Sequence, residues 1–600
     1  MTETKIPLRQ DVPEQQRWDH ASVFASVADW ERAGDQVAER AVAIRQLQGT
    51  LAQGGASLLT ALRARDDLLQ LVEHVYVYAG LLHLPDTANE EASSMFGRAQ
   101  TLHAGALAAC AWIEPELLAL GEERLEALLA AEPGLATYRH YLDDLLRRVQ
   151  HVRSQEVEEL LGLLVEPFSG VGATMTRLTS ADFKFEPAVD SQGAQHELVQ
   201  GTLDRYQTSP DRALRASAWH NYHRLYHQHK HGLTNNLLTS VQQNVFMMRA
   251  RRHDSTLEAA LFQDNIPVEV FHRLLKVAEN RAPIWHRYFE LRRRRLGLEQ
   301  LEPHDIWAPL GNQPVRLSYE QAVDHIAAGL APLGDDYVAV LRQGALEDRW
   351  VDIYPNQGKR SGAFSFGSFG THPFIMMSFN GSLLSLSTLA HELGHSLHSY
   401  YSWQNQPFVY SDYSLFAAEV ASNFHQSMVR SHLLSTQNEP AFRLGVIEEA
   451  MSNFHRYFLV MPTLARLELE VHQRVESGEG LNAQYMIDRS LDLFQQVYGP
   501  AMKLTEENAG MYWSTFGHLY RDYYVFQYAT GIAAAHALAG RIQSGEHGAV
   551  EAYRGFLACG GSVYAIDGLR QAGVDMTDSR PVEAAFDSLE LIVDALEALV

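Results

Sequence analysis

TLAHELGHSLHSYYS, residues 388–402, places imidazoles at His391 and His395 with a carboxylate, Glu392, directly after the first. On an α-helix, positions four apart lie one above the other, so the two rings can converge on a single ion. Leu386, Leu389, Leu393 and Leu397 fall on the opposite stripe, which predicts one buried side and histidines aimed into a cleft. Glu392 sits about 100° round the helix from His391 and is free to reach a water molecule instead of the ion. The stretch therefore reads as an amphipathic helix that supplies two ligands and a base.

The same periodicity runs outward through most of the chain. Leu142, Leu145, Leu146, Val149 and Val152 recur at helical spacing, and PELLALGEERLEALLAAEP, which opens on Pro115 and closes on Pro133, reads as one helix between two prolines. Residues 14–84 hold room for several antiparallel helices joined by short connections. Two stretches break the rhythm. In SADFKFEPAVDSQGAQHELVQGTL, Phe183 and Phe185 alternate about Lys184 before a turn cluster at Asp190 to Gly193, a small hairpin by pattern. In GKRSGAFSFGSFGTHPFIMMSFNGS, five glycines and five phenylalanines predict strand and loop immediately before the histidine-bearing helix. A lesser interruption at Pro303, Pro309 and Pro314 reads as a connecting segment. These signals divide the chain into an amino-terminal helical lobe over 1–200, ending in the hairpin, and a second helical domain over 201–600.

Composition narrows the function classes. The 600 residues carry 49 Lys plus Arg against 73 Asp plus Glu, a formal charge of −24, which repels phosphate backbones and anionic membrane surfaces. Neither nucleic acid nor membrane is an expected partner. No window approaches the ~20 apolar residues of a spanning helix, and MTETKIPLRQDVPEQQ has neither the apolar core nor the cleavage site of an export signal. Cys110 and Cys559 are the only cysteines, too few for a disulfide framework or a thiolate cluster. The expected location is a reducing cytoplasm.

The chain contains 28 histidines, so the His-Glu-x-x-His run needs a third ligand to carry the metal reading. Glu419 in SLFAAEVASNFHQSM is the candidate. Phe416, Val420 and Phe424 define a buried stripe beside it, and a carboxylate there is costly unless paired or coordinated. Local pattern leaves two readings of Glu419 open, a metal ligand or a helix-face salt bridge. Two histidines and one carboxylate would leave the fourth tetrahedral position of Zn²⁺ open, as hydrolytic sites require. Asn423, one turn later, reads either as an ordinary polar residue, the reading preferred here, or as a partner that orients a ligand histidine. HELVQ at 196–200 repeats only the first half of the motif and reads as structural. WHNYHRLYHQHKHGL clusters His220, His223, His227, His229 and His231 without a carboxylate among them, and reads as a solvated helix face.

The block from Gly358 through Ser402, followed by FAAEVAS and later by FGHLYRDYYVFQYATGIAAA, resembles oligoendopeptidase F within the thimet oligopeptidase family of zinc metallopeptidases. The likeness covers the chain from about residue 200 onward and, less distinctly, the amino-terminal helices. It implies a mainly α fold, a two-lobed helical metallopeptidase with a deep central channel and a small β element next to the zinc helix. It further implies one Zn²⁺ ion held by His391, His395 and Glu419, with Glu392 as catalytic base, and cleavage of internal bonds in short unfolded peptides. Family members use a histidine and tyrosines from a late segment to stabilise the oxyanion, and the matching positions are His518, Tyr524 and Tyr528. The two tyrosines are four apart and are expected to share a helical face. Phe526 departs from the family, which commonly has tyrosine there; if that hydroxyl is a catalytic donor in the family, then Tyr528 or Tyr523 must substitute, or the rate suffers. An aromatic core stripe is the competing reading of all three.

The Gly-Phe segment from Gly362 to Gly370 resembles the family's substrate-lining strand, where an extended peptide can pair with backbone groups. An ordinary buried hairpin competes with that reading. His372 is of undecided role, and His398 is expected to neighbour the site without ligating. Two further functions stay open at this level. One is an exopeptidase of the dipeptidyl carboxypeptidase type on the same site; the other is a non-catalytic peptide-binding protein with a structural metal.

Overall fold

A computed structural model describes residues 6–311 and 315–600; Pro314 lies outside them. Helix accounts for 72% of the chain and strand for 2%, so the fold is mainly α. Among the described residues no single helix is long and apolar enough to cross a membrane.

The chain forms two compact units, each assembled from three stretches. Of the described residues, one unit takes those within Met1–Gln150, Arg316–His432 and Arg541–Gly573, and the other those within His151–Val315, Leu433–Gly540 and Val574–Val600. The boundary expected near residue 200 falls inside the second unit.

In the first unit, Ser26 accepts the Asp29 N–H and starts the helix Val27–Arg45; Asn89 does the same for Ala92 at the head of Glu90–Cys110. Between them runs the helix Gly55–His83. The three pack on one another through Trp30, Val37, Leu58, Leu62, Val72, Val75 and Ala99, all at most 1% exposed. A three-stranded sheet follows, with Phe374–Met376 in the centre, parallel to Val351–Asp352 and antiparallel to Phe364–Phe366. Phe374 and Met376 are buried against Trp18, Val77, Leu81 and Leu84. The helix Leu383–Asn405 lies on this sheet and packs on the helix Ala549–Cys559. This is the expected β element beside the histidine-bearing helix.

The second unit is built around the 29-residue helix Val268–Leu296, against which Met461–Glu476, Ala483–Tyr498 and Arg580–Glu597 pack. Its hairpin pairs Ala188–Val189 with Gln195–His196. The strands are shorter and later than the Phe183/Phe185 alternation predicts; those two rings pack against Tyr226 and Tyr222. His196 Nε2 donates to the Asp190 carboxylate at 2.8 Å across the turn, a structural role.

Two helical readings need correction. PELLALGEERLEALLAAEP is not one helix: Ile113–Leu120 and Glu122–Ala131 are separated at Gly121, whose φ of 74° suits a residue without Cβ, and the chain bends there by 103°. The run through Val152 also stops early. Its helix is Arg139–Arg148, with Leu142 and Leu145 buried and Val149 and Val152 exposed.

Candidate active site

Ser382 caps the helix Leu383–Asn405 by accepting the Ser385 N–H. Leu386, Leu389, Leu393 and Leu397 are at most 2% exposed, so one face is locked into the core and the rotation of the helix is set. The helix Leu415–Thr436 crosses it at Gly394. A Cβ built there would lie 2.5 Å from Ser422 Cα and 2.6 Å from the Ala421 carbonyl oxygen, so only glycine allows this approach. Phe416, Val420 and Phe424 bury the second helix and leave Glu419 beside the histidines.

Across that crossing the Nε2 atoms of His391 and His395 are 3.2 Å apart with ring planes at 86°, and Glu419 Oε2 lies 3.6 Å from His391 Nε2. One donor atom from each of the three residues lies within 4.8 Å of the others. Tetrahedral zinc with bonds of ~2.0–2.1 Å holds two imidazole nitrogens about 3.3–3.4 Å apart, so the donor set fits that ion.

The outward atoms of the ligand candidates are held as well. His391 Nδ1 pairs with Gln426 Oε1 at 3.1 Å, while Gln426 Nε2 donates to Ser387 Oγ at 2.7 Å. The Gln426 amide is thereby oriented to accept the Nδ1 proton, which leaves the Nε2 lone pair facing Glu419. His395 bonds the Ala418 backbone, and burial pushes its pKa down to about 4, keeping the imidazole neutral. Glu419 Oε2 accepts from Ser422 Oγ at 3.3 Å and Asn423 Nδ2 at 3.4 Å. Asn423 Nδ2 thus donates to the Glu419 carboxylate and, at 2.8 Å, to the Glu419 backbone carbonyl, where the alternative reading had it orient a histidine.

Glu392 is 5% exposed and its Oε2 has no hydrogen-bond partner. Burial pushes its pKa up to about 7, with Glu419 adding to the rise; His391 and the Ser365 backbone act in the opposite direction. Such a carboxyl can both take and return a proton near neutrality. Ser365 lies on the sheet's edge strand, whose Oγ also meets Ser396 Oγ of the helix at 2.9 Å.

The remaining candidates are placed as follows. His398 is 1% exposed and stacks on Tyr413 at 3.6 Å, outside the ligand cluster, and burial pushes it down to about 3. His372 stacks on Trp350 and bonds Ser22 Oγ and the Pro373 carbonyl, a packing role. The segment 362–370 turns at Gly362, Gly367 and Gly370, each with positive φ, and His74 Nε2 bonds the Phe369 carbonyl at 2.7 Å. His518, Tyr524 and Tyr528 belong to the second unit, whereas His391, Glu392, His395 and Glu419 belong to the first.

Within their unit the three aromatic candidates do meet. The hydroxyls of Tyr524 and Tyr528 are 2.9 Å apart, and the His518 ring is parallel to that of Tyr524 at 5.7 Å. They do not share a helix, because the helix begins at Phe526 and Tyr524 precedes it. Phe526 is fully buried and packs on Phe271. Tyr523 is 1% exposed with its hydroxyl on Thr256 Oγ1, so it is a core residue and no substitute donor.

Several supporting groups escaped the sequence reading. Gln426 follows Glu419 by seven residues, two helical turns on the same face, and that spacing was the available signal. Nothing local pointed to Glu468, 5% exposed, whose Oε1 accepts the Tyr523 N–H at 2.7 Å and holds the left-handed backbone (φ 46°) just before Tyr524.

The profile of Peptidase family M3 matches residues 205–588, and a profile described as Oligopeptidase F matches residues 116–185. Oligopeptidase PepF of Bacillus subtilis (strain 168) is 33% identical over 596 residues, covering 99% of this chain and 89% of that one. Group B oligopeptidase PepB of Streptococcus agalactiae is 33% identical over 595 residues, covering 99% and 98%. Among solved structures, one from Chlamydophila abortus superposes with a TM-score of 0.91 at 30% identity, over 99% of this chain and 100% of that one. The oligoendopeptidase-F from Enterococcus faecium gives 0.74 at 29%, over 95% and 99%. The family match and these relatives make this mainly helical protein a peptidase. The chain belongs to peptidase family M3.

Proposed function

We propose that the protein is a zinc-dependent endopeptidase that hydrolyses internal bonds of short unfolded oligopeptides. The observation that carries the reading is the close approach of His391 Nε2, His395 Nε2 and Glu419 Oε2, with the buried, half-unpartnered carboxyl of Glu392 next to them in sequence. The relatives named oligopeptidase support the substrate class.

In this reading His391, His395 and Glu419 hold one Zn²⁺. When bound, zinc supplies Lewis acidity toward the scissile carbonyl and lowers the pKa of water. Glu392 accepts the proton of the attacking water and returns it to the departing amine. Gln426 keeps His391 in the tautomer that ligates, and Ser422 and Asn423 hold the Glu419 carboxylate. His518, Tyr524 and Tyr528 are assigned as donors to the developing oxyanion. The edge strand Phe364–Phe366, paired on one side only within its sheet, offers backbone groups to an extended peptide.

The partition into residues 1–200 and a catalytic 201–600 belongs to this reading as a division of the sequence, supported by family profiles that end at 185 and begin at 205, and it differs from the division into compact units. So does a cytoplasmic location without nucleic-acid or membrane partners, supported by the charge of −24 and two widely separated cysteines. Internally quenched peptides blocked at both ends test the activity. Cleavage that is lost on zinc chelation and in Glu392→Gln is expected. Cleavage only of peptides with a free terminus would make the enzyme an exopeptidase, and hydrolysis unchanged in Glu392→Gln would refute the assigned base.

A further inference from the structure

The histidine-rich run 219–233 has no part in the chemistry above, and one of its members meets a second cluster. His220, on the helix Arg212–Gln228, faces Glu302 and His304 in the connecting segment, and one donor atom of each lies within 4.8 Å of the others. The rings of His220 and His304 are 5.7 Å apart at 62°, comparable with 4.7 Å and 86° for His391 and His395. His304 is 3% exposed, and neither of its ring nitrogens has a hydrogen-bond partner. A buried imidazole left in that state is costly, and a metal ion is one group that would satisfy it.

The surroundings fit such an ion. Asp305 Oδ1 stands 3.6 Å from His304 Nε2, beyond hydrogen-bond distance, so it leaves that nitrogen open. Arg212 and Arg215 spend their charge on that same carboxylate, at 2.8 and 3.1 Å, and Arg215 Nε also donates to the His304 carbonyl at 3.0 Å. The helix and the connecting segment are therefore docked before any metal binds. His220 is exposed, so the cluster opens to solvent. A third cluster, His151, His253 and Glu258, is less apt, because its two rings stack at 3.6 Å and 14° and their in-plane lone pairs run side by side instead of converging.

We propose that His220, Glu302 and His304 form a second divalent-metal site, suited to Zn²⁺ by two imidazoles and one carboxylate, which clips the connecting segment 302–305 to the helix Arg212–Gln228. Asp305, which directly follows His304, is ion-paired to both Arg212 and Arg215, so the cluster holds no free carboxylate base comparable to Glu392 and the role is structural. The site is independent of the catalytic assignment.

The test uses full-length chain carrying His391→Ala and His395→Ala, stripped of metal and titrated with Zn²⁺ alone. One zinc per chain by elemental analysis after gel filtration is expected, with a rise in Tm on zinc addition. Adding His220→Ala, an exposed position, should weaken binding at least about tenfold and abolish the Tm rise, and Glu302→Gln should act in the same direction. His227→Ala should change nothing. The proposal is overturned if the folded double variant, checked by circular dichroism, retains no zinc, if binding survives His220→Ala unchanged, or if His227→Ala removes it.

Discussion

In the proposed reaction Glu392, buried with one oxygen unpartnered, is the base on which the chemistry turns. Glu392→Gln keeps the shape of the side chain and removes the base, so activity should fall by at least about 10²–10⁴-fold, the usual worth of such a group, with zinc content unchanged. Tyr528→Phe removes one assigned oxyanion donor and is expected to lower kcat by about 10²–10³-fold with little change in zinc content. Gln426→Ala acts on the metal instead. It frees the far side of His391, so zinc affinity should drop by about 10–100-fold in a competition assay, and excess zinc should restore activity. Glu73 is a separate case of residue-scale electrostatics. Burial, with Asp412 adding to it, pushes its carboxyl up to about 8. A folded-state pKa above the unfolded one means stability that is complete below the ordinary value of about 4.5 and lost as pH rises through about 8. The Tm of Glu73→Gln relative to the natural chain should therefore climb between pH 5 and 8; a difference independent of pH would refute that titration.

At the scale of elements, the site depends on one helix crossing. Gly394 is part of the His-Glu-x-x-His run, yet its purpose is steric: Ser422 Cα and the Ala421 carbonyl occupy the space a side chain would need. Gly394→Ala should separate the helices, cost roughly 1–3 kcal/mol by overpacking, and move Glu419 off the histidines. Lowered Tm together with lost zinc is the expected pair of results; a stable chain that keeps zinc would refute the account. Single elements were largely legible in the sequence. The leucine stripe 386–397 and the Phe416/Val420/Phe424 stripe state which faces are buried, because periodicity within a continuous helix reports that directly. Element ends were less legible. Gly121 breaks a stretch that its flanking prolines mark as one helix by pattern, and Tyr524 falls just outside the helix that carries Tyr528.

At the scale of the molecule, each compact unit draws on three distant stretches. The central strand Phe374–Met376 rests on Val77, Leu81 and Leu84, and Asp352 pairs with both Lys359 and Arg9. A fragment 201–600, although it spans the region of the Peptidase family M3 profile, exposes that strand and the helix above it. We expect the fragment to melt without a cooperative transition and to retain no zinc, as calorimetry and metal analysis would check. The sequence by itself determined the helical class, the glycine-rich sheet next to the motif and the identity of the donor candidates, since each is written in spacing along one unbroken segment. The tertiary structure alone decided that Glu419 stands beside the imidazoles, that Gln426 and Ser387 back His391, that Tyr523 is core, and that His220 meets His304. Those outcomes depend on where two elements cross, and a crossing is set by the packing of residues far apart in the chain, which local periodicity does not encode.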